Sequence, residues 1–262
     1  KTLSYLQLKL STTFGDRDIF PVLGNNDSWQ DDYVVDNDGD FYRAYRDLWM
    51  KSIHDDSKKA AFAESITTGG YYAITQNNTR FIILNSTPFS RRAAGDSAAS
   101  VAEQEWTWLA NELKTAQTKQ QRIILFMHIP PRIELFFSLR IRLFTLFELW
   151  SSPNLVRFDA LMQTYAPLMD GVFSAHIHND SLQLHRFGKG VYVPFVGSPA
   201  VSPIFASNPG FKLYGLNNTV SLPLDFISYY TRLQESRDKA QVEVVKNQAQ
   251  LEGDLATAAA DR

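Results

Sequence analysis

The chain has 262 residues, 44% of them hydrophobic and 21% charged, with a formal net charge of -2 and no cysteine. That composition suits one large α/β core or two small domains. The near-neutral balance argues against a nucleic-acid surface, the lack of thiols removes disulfides and thiolate metal sites, and no apolar run is long and charge-free enough to span a bilayer.

Residues 1–14 carry Leu3, Leu6 and Leu10 at helical spacing, which predicts a helix packed on a sheet. They read as mid-domain sequence, with no basic-then-apolar leader at Lys1. Residues 19–23 predict a buried strand, with Gly24-Asn25-Asn26-Asp27 in the turn beyond it. On its own a Gly-Asn pair is an ordinary turn. Asp36-Asn37-Asp38-Gly39-Asp40 hints at a calcium loop but lacks the later glutamate, so it reads as an acidic surface loop. Aromatic residues at helical spacing over 41–53 predict a packed helix, and His54 after it reads as structural. Residues 70–74 and 80–85, joined by Asn77-Asn78-Thr79, predict a hairpin. A loop over 88–100 follows, with Arg91 and Arg92, then an amphipathic helix over 101–116. Ser100 would cap that helix, with Glu103 completing a capping box.

Residues 121–127 predict a strand running into His128-Ile129-Pro130-Pro131. Residues 133–150 are apolar apart from Arg140, Arg142, Glu148 and a few polar positions. They read as a helix. It is either a core helix or a lid that touches a membrane surface, its arginines meeting a phosphate or headgroup. Ser152-Pro153-Asn154 resets the chain before a helix over 156–169. A strand over 172–175 then delivers His176 and His178, two of the five histidines. In an extended segment, side chains at i and i+2 share a side, roughly 6–7 Å apart. That suits two imidazoles approaching different metals of a pair about 3.5–4 Å apart. A lone His-x-His is more often a surface turn. Asp180 is placed to hold one imidazole in its tautomer. Residues 182–186 and 190–196 form a strand pair with a structural His185. A Pro/Ser-rich loop over 197–209 could wall the site, and residues 212–216 and 219–226 form a closing hairpin. Residues 1–230 read as one domain and 231–262 as a polar helical or frayed tail, without internal repeats.

Three apolar runs thus end in ligand-type residues, and ligands gather at the carboxyl ends of strands in α/β sheets. Gly24-Asn25-Asn26-Asp27, His128-Ile129-Pro130-Pro131 and Ala175-His176-Ile177-His178 together resemble the last three motif blocks of the calcineurin-like metallophosphoesterases. The His-Ile-Pro-Pro form, Gly69-Gly70-Tyr71-Tyr72, and Asn208-Pro209 after Gly197-Ser198-Pro199 are most similar to the acid sphingomyelinase-like phosphodiesterase branch. The resemblance implies an α/β/β/α four-layer sandwich, apparently lacking its first strands here. It also implies two divalent ions (zinc, manganese or iron), with Asn25, His128 and His176 serving one and His178 the other. A metal-activated hydroxide would attack phosphorus. Asn26 and Asp27 fall at the catalytic positions. Many members carry histidine where this chain has Asn26, and a carboxamide cannot give up a proton at ordinary pH. Asp27 would orient Asn26 or act as an acceptor behind it.

The family's first two blocks, an Asp-x-His and a Gly-Asp, are not found, and Gly15-Asp16 is too close to Asn25 to be the second. The identified ligands are all neutral, so the expectation is one well-held metal at most. The resemblance implies a phosphoester or phospholipid-like substrate, with sphingomyelin-like phosphodiesters leading and phosphoanhydrides second. A catalytically inert binding module is the rival. Export to the periplasm or the cell exterior accompanies the resemblance.

Overall fold

A computed structural model describes residues 2–36, 39–137, 143–188, 190–216 and 223–233. Its centre is a six-stranded sheet in the order β1-β2-β3-β6-β8-β7. The strands are β1 (Tyr72–Gln76), β2 (Thr79–Ile83), β3 (Arg122–Phe126), β6 (Met169–Ser174), β7 (Ser181–Phe187) and β8 (Val191–Gly197). Strands β2, β3, β6 and β8 run parallel, and β1 and β7 close the edges antiparallel. The inner strands carry apolar residues on both faces, as at Ile123, Ile124 and Leu125, because both faces are packed there.

Period-two alternation assigns the two faces. Ile82, Ile123, Leu125, Val172 and Val193 point to one core, which also holds Leu109 and Leu113 of α4 (Ala98–Thr118) and Phe158 and Met162 of α5 (Ser152–Tyr165). Tyr72, Ile74 and Ile83 point the other way. They meet Tyr45 and Trp49 of α2 (Asp40–Trp49) and Phe62 and Ile66 of α3 (Asp56–Gly69). On that same face Phe81, Phe126 and Phe173 stack across three parallel strands, with centroid spacings of 6.4 and 5.1 Å. A separate hairpin, β9 (Gly210–Leu216) with β10 (Pro223–Tyr230), sets Tyr214 edge-on to Phe173 at 5.0 Å. Val22, the three phenylalanines and Tyr214 border a cavity of about 410 Å³. Helix α1 (Thr2–Phe14) packs against α2, and Gln7 bonds Ser52 at 2.7 Å.

The structure corrects several expectations. In place of the helix expected over 133–150, the described residues form an antiparallel strand pair, β4 (Arg132–Phe137) with β5 (Leu143–Glu148). Arg132 stands opposite Glu148. Leu149 N–H bonds Pro131 O at 3.0 Å, and the buried Trp150 indole donates to Ile129 O at 2.9 Å. These contacts tie both hairpin ends to the His128 loop. Arg140 and Arg142 lie outside the described residues. Residues 19–23 form no strand and pair with none of the described strands. Pro21 has no N–H to give a ladder, its carbonyl accepts from Tyr72 Oη at 2.7 Å, and Ile19 N–H goes to Ser52 O.

Helix α4 starts at Ala98, with Ser97 before it. Ser100 therefore sits inside the first turn, donating to Ser97 O, and the expected capping box does not form. Asp36, expected in a surface loop, is buried and accepts from Ser28 Oγ and Gln30 Nε2. Helix α3 had no counterpart in the sequence reading. Asp55 caps it through Lys58 N–H, and Gly70 ends it at φ 81°. The tail expected over 231–262 lies outside the described residues from 234 onward. Among the described residues no helix is long and apolar enough to cross a membrane.

Candidate functional site

Backbone pairing beyond the strand ends brings the site together. Met127 N–H bonds Phe173 O at 2.9 Å and Ala175 N–H bonds His128 O at 3.0 Å, so the segments leaving β3 and β6 stay side by side. The third segment is a closed turn: Asp27 N–H donates to Gly24 O, and Gly24 N–H donates to Asp27 Oδ2 at 2.8 Å. A Cβ at Gly24 would stand 3.2 Å from the His128 ring. The turn leaves Asn25 buried, its amide oxygen facing two imidazoles. Asn25 Oδ1 is 2.8 Å from His128 Nε2 and 3.0 Å from His176 Nδ1, and the two nitrogens are 3.2 Å apart.

The His-x-His segment is not extended as expected. Strand β6 ends at Ser174, and His176 and His178 take left-handed backbones at φ 69° and 61°. A tight turn, Ile177 N–H to Ala175 O at 2.7 Å, lies between them. The i, i+2 rule for strands therefore does not set where the rings point. His176 enters the triangle with Asn25 and His128. The ring of His178 lies 5.4 Å from that of Phe205, and its Nδ1 is buried with no hydrogen-bond partner among the described residues.

Burial pushes the His128 imidazole down to about 4, helped by its neighbours His176 and His178. Burial also lowers His176, with His178 adding to the effect and Asp32 opposing it. Both rings are neutral at pH 7 and can offer lone pairs. Donors around a tetrahedral zinc at about 2.0–2.1 Å stand roughly 3.3 Å apart. The triangle's edges of 2.8, 3.0 and 3.2 Å are close to that spacing. Two nitrogens and an amide oxygen therefore fit one face of a divalent cation. Among the described residues no group of three or more His, Cys, Asp or Glu side chains is arranged to hold a metal. The donor set stands on the amide of Asn25 and carries no charge.

Two residues that sequence reasoning missed support this face. Asp32 Oδ1 accepts from Asn25 Nδ2 at 2.5 Å. Tyr33 Oη lies 3.1 Å from His176 Nε2, and Tyr33 N–H donates to Asn25 O at 2.9 Å. Arg92 lies 4.2 Å over the Tyr33 ring and 3.4 Å from Asp32 Oδ2. No periodicity or motif marks Asp32 and Tyr33, so only the folded chain reveals them.

Asp180 goes elsewhere. It pairs with Lys212 and accepts from Ser228 Oγ at 3.0 Å, so the outer partner of His176 is Tyr33. Asp27 closes its turn through Gly24 N–H, and burial pushes its carboxyl up against that hydrogen bond. Asn26 is exposed and borders a groove of about 730 Å³ with Trp29 and Leu48.

No family model matches the chain. It is 24% identical over 239 residues to the cyclic GMP-AMP phosphodiesterase SMPDL3A of Bos taurus, an alignment covering 87% of this chain and 50% of that protein. It is 22% identical to the sphingomyelinase phosphodiesterase C of Dictyostelium discoideum, with 85% and 50% covered. A sphingomyelin phosphodiesterase of Bos taurus is also 22% identical, with 84% and 34% covered. The chain is thus similar, over most of its length, to proteins named as cyclic GMP-AMP and sphingomyelin phosphodiesterases. It spans about half the length of the first of these relatives.

Proposed function

We propose that this chain carries part of the centre of a metal-dependent phosphodiesterase built on the metallophosphoesterase four-layer sandwich. The observation that carries the reading is the convergence of Asn25 Oδ1, His128 Nε2 and His176 Nδ1 within 3.2 Å of one another, from three segments distant in sequence. These three would hold the ion. When bound, a divalent cation there supplies a water of lowered pKa and polarises a phosphoryl oxygen.

The chain's own groups set the rest. Burial keeps both imidazoles unprotonated, so they bind rather than repel a cation. The unpartnered Nδ1 of His178 is a donor in reserve for a second ion. Two dications about 4 Å apart repel by on the order of 16 kcal/mol at an effective dielectric of about 20. Neutral ligands do nothing to offset that, so this chain holds one ion well. Asn26 can donate hydrogen bonds from its amide to a phosphoryl or leaving oxygen, but it cannot deliver a proton. That favours a second substrate class, phosphoanhydrides, whose leaving group needs no acid.

The test combines metal analysis with hydrolysis. The purified chain should bind one zinc or manganese ion tightly, and His128→Gln or Asn25→Ala should abolish that binding. Rates on bis-p-nitrophenyl phosphate, sphingomyelin and polyphosphate then rank the substrate classes. Tight binding without turnover of any of them selects an inert binding module. Two tightly held ions per chain would refute the neutral-ligand account.

A further inference from the structure

We infer that Asp32 is the positioning residue that decides which end of the Asn25 amide faces the imidazoles, and so turns a pair of histidines into a cation site. This rests on the metal-centre reading above. A primary amide is nearly symmetric in shape, and its two ends have opposite polarity. With the oxygen toward His128 and His176, the site offers three lone pairs. With the nitrogen toward them, it would aim N–H dipoles at an incoming cation.

The geometry selects the first orientation. A carboxylate only accepts, so the atom of Asn25 that lies 2.5 Å from Asp32 Oδ1 is the N–H donor. The amide oxygen is then forced toward the rings. Asp32 is fixed in turn. Arg92 lies 3.4 Å from its second oxygen, and its N–H donates to Asp31 Oδ1 at 2.7 Å. Tyr33 completes the support from the other side. A hydroxyl both donates and accepts, so it can serve His176 Nε2 in either tautomer. His176 Nδ1–H can therefore bond Asn25 Oδ1 in the metal-free chain, and the proton can sit on Nε2 when the Nδ1 lone pair is needed.

Losing a hydrogen-bond partner behind a metal ligand typically costs 10–100-fold in metal affinity. Asp32→Asn keeps the size but lets either end of the new amide face Asn25. Cobalt(II) and zinc affinities should fall by about that factor, and the visible cobalt absorption should change, while the melting temperature stays near that of the parent. The double variant N25D/D32N should restore binding, because the amide introduced at position 32 now donates to the carboxylate introduced at position 25. Asn25→Asp alone also adds a charged ligand, so the rescue is read against that single variant, and the double variant should bind more tightly than it does.

A metal-free measurement separates this inference from the metal-centre reading. By ¹⁵N NMR, His128 should carry its proton on Nε2, bonded to Asn25 Oδ1, and should shift toward the Nδ1–H form in D32N. If the parent chain binds neither cobalt nor zinc, the metal-centre reading fails, and the tautomer of His128 still decides the role of Asp32. Parent-like cobalt affinity and spectrum in D32N, or an Nδ1–H His128 in the parent, would overturn the inference.

Discussion

Gly24 and His128 lie in contact: a Cβ on Gly24 would stand 3.2 Å from both Cε1 and Nε2 of the imidazole. The backbone turn carrying Asn25 can come this close only because position 24 has no side chain. Gly24→Ala should push the ring aside by a few tenths of an ångström. The expected cost is about 1 kcal/mol of stability from overpacking, with about a tenfold loss of zinc affinity. Calorimetric zinc titration and urea unfolding on the same samples measure both.

The neutral His128 makes the metal-free chain sensitive to acid. Its folded value of about 4 lies below the ordinary 6.5, so between those values the unfolded chain binds the extra proton. Stability therefore rises with pH across that window and is lost as pH falls through it. The gap corresponds to roughly 3 kcal/mol. Urea midpoints of the chelator-treated chain at pH 4, 5, 6 and 7 should show the slope. His128→Gln should flatten it.

Glu105 carries the opposite sign. It is fully buried in α4, with Oε1 accepting from Asn85 N–H at 2.8 Å and Oε2 without a partner among the described residues. Burial raises its carboxyl well above 4.5, against the Asn85 hydrogen bond. The folded chain keeps a proton that the unfolded chain releases above 4.5, so this contribution is complete at low pH and is lost as pH rises toward the folded value. Glu105→Gln preserves the acceptor and removes the titration. It should stabilise the protein at pH 8 by about 1–3 kcal/mol and have little effect at pH 4. Thermal scans at the two pH values test this.

Arg122 and Asp170 tie the start of β3 to β6, with Arg122 Nε 2.9 Å from Asp170 Oδ1. Asp170 is buried, and burial still lifts its carboxyl despite the arginine. Arg122→Met leaves that charge uncompensated and should destabilise by about 3–5 kcal/mol. Adding Asp170→Asn should recover part of the loss, because the remaining group is no longer charged. Denaturant unfolding of the single and double variants reads the difference.

The β1–β2 hairpin, α4, and the strands that reach His128 and His176 were legible in the sequence, because alternation and helical spacing are strong there. Residues 133–150 were not. Apolar side chains there follow neither period cleanly, and such a run does not distinguish helix from strand. Residues 19–23 look like a strand in composition, but a strand also needs a partner, and here Tyr72 Oη donates to Pro21 O and Ile19 N–H donates to Ser52 O instead. Helix α3 escaped notice because few apolar positions mark its buried side, Phe62 and Ile66 chief among them. At the site, Asn25, His128 and His176 were found by motif. Asp32 and Tyr33 act through contacts made only after folding, which one-dimensional spacing does not encode.

The left-handed backbones of His176 and His178 bear on how this protein can change over time. A non-glycine residue held there costs of order 1–3 kcal/mol, and glycine or asparagine would relieve much of it. A lineage that stopped using these imidazoles would gain stability by drifting to those residues, and β-branched side chains would be shut out. The choice of amino acid at two turn positions would thus record whether the proposed centre is in use.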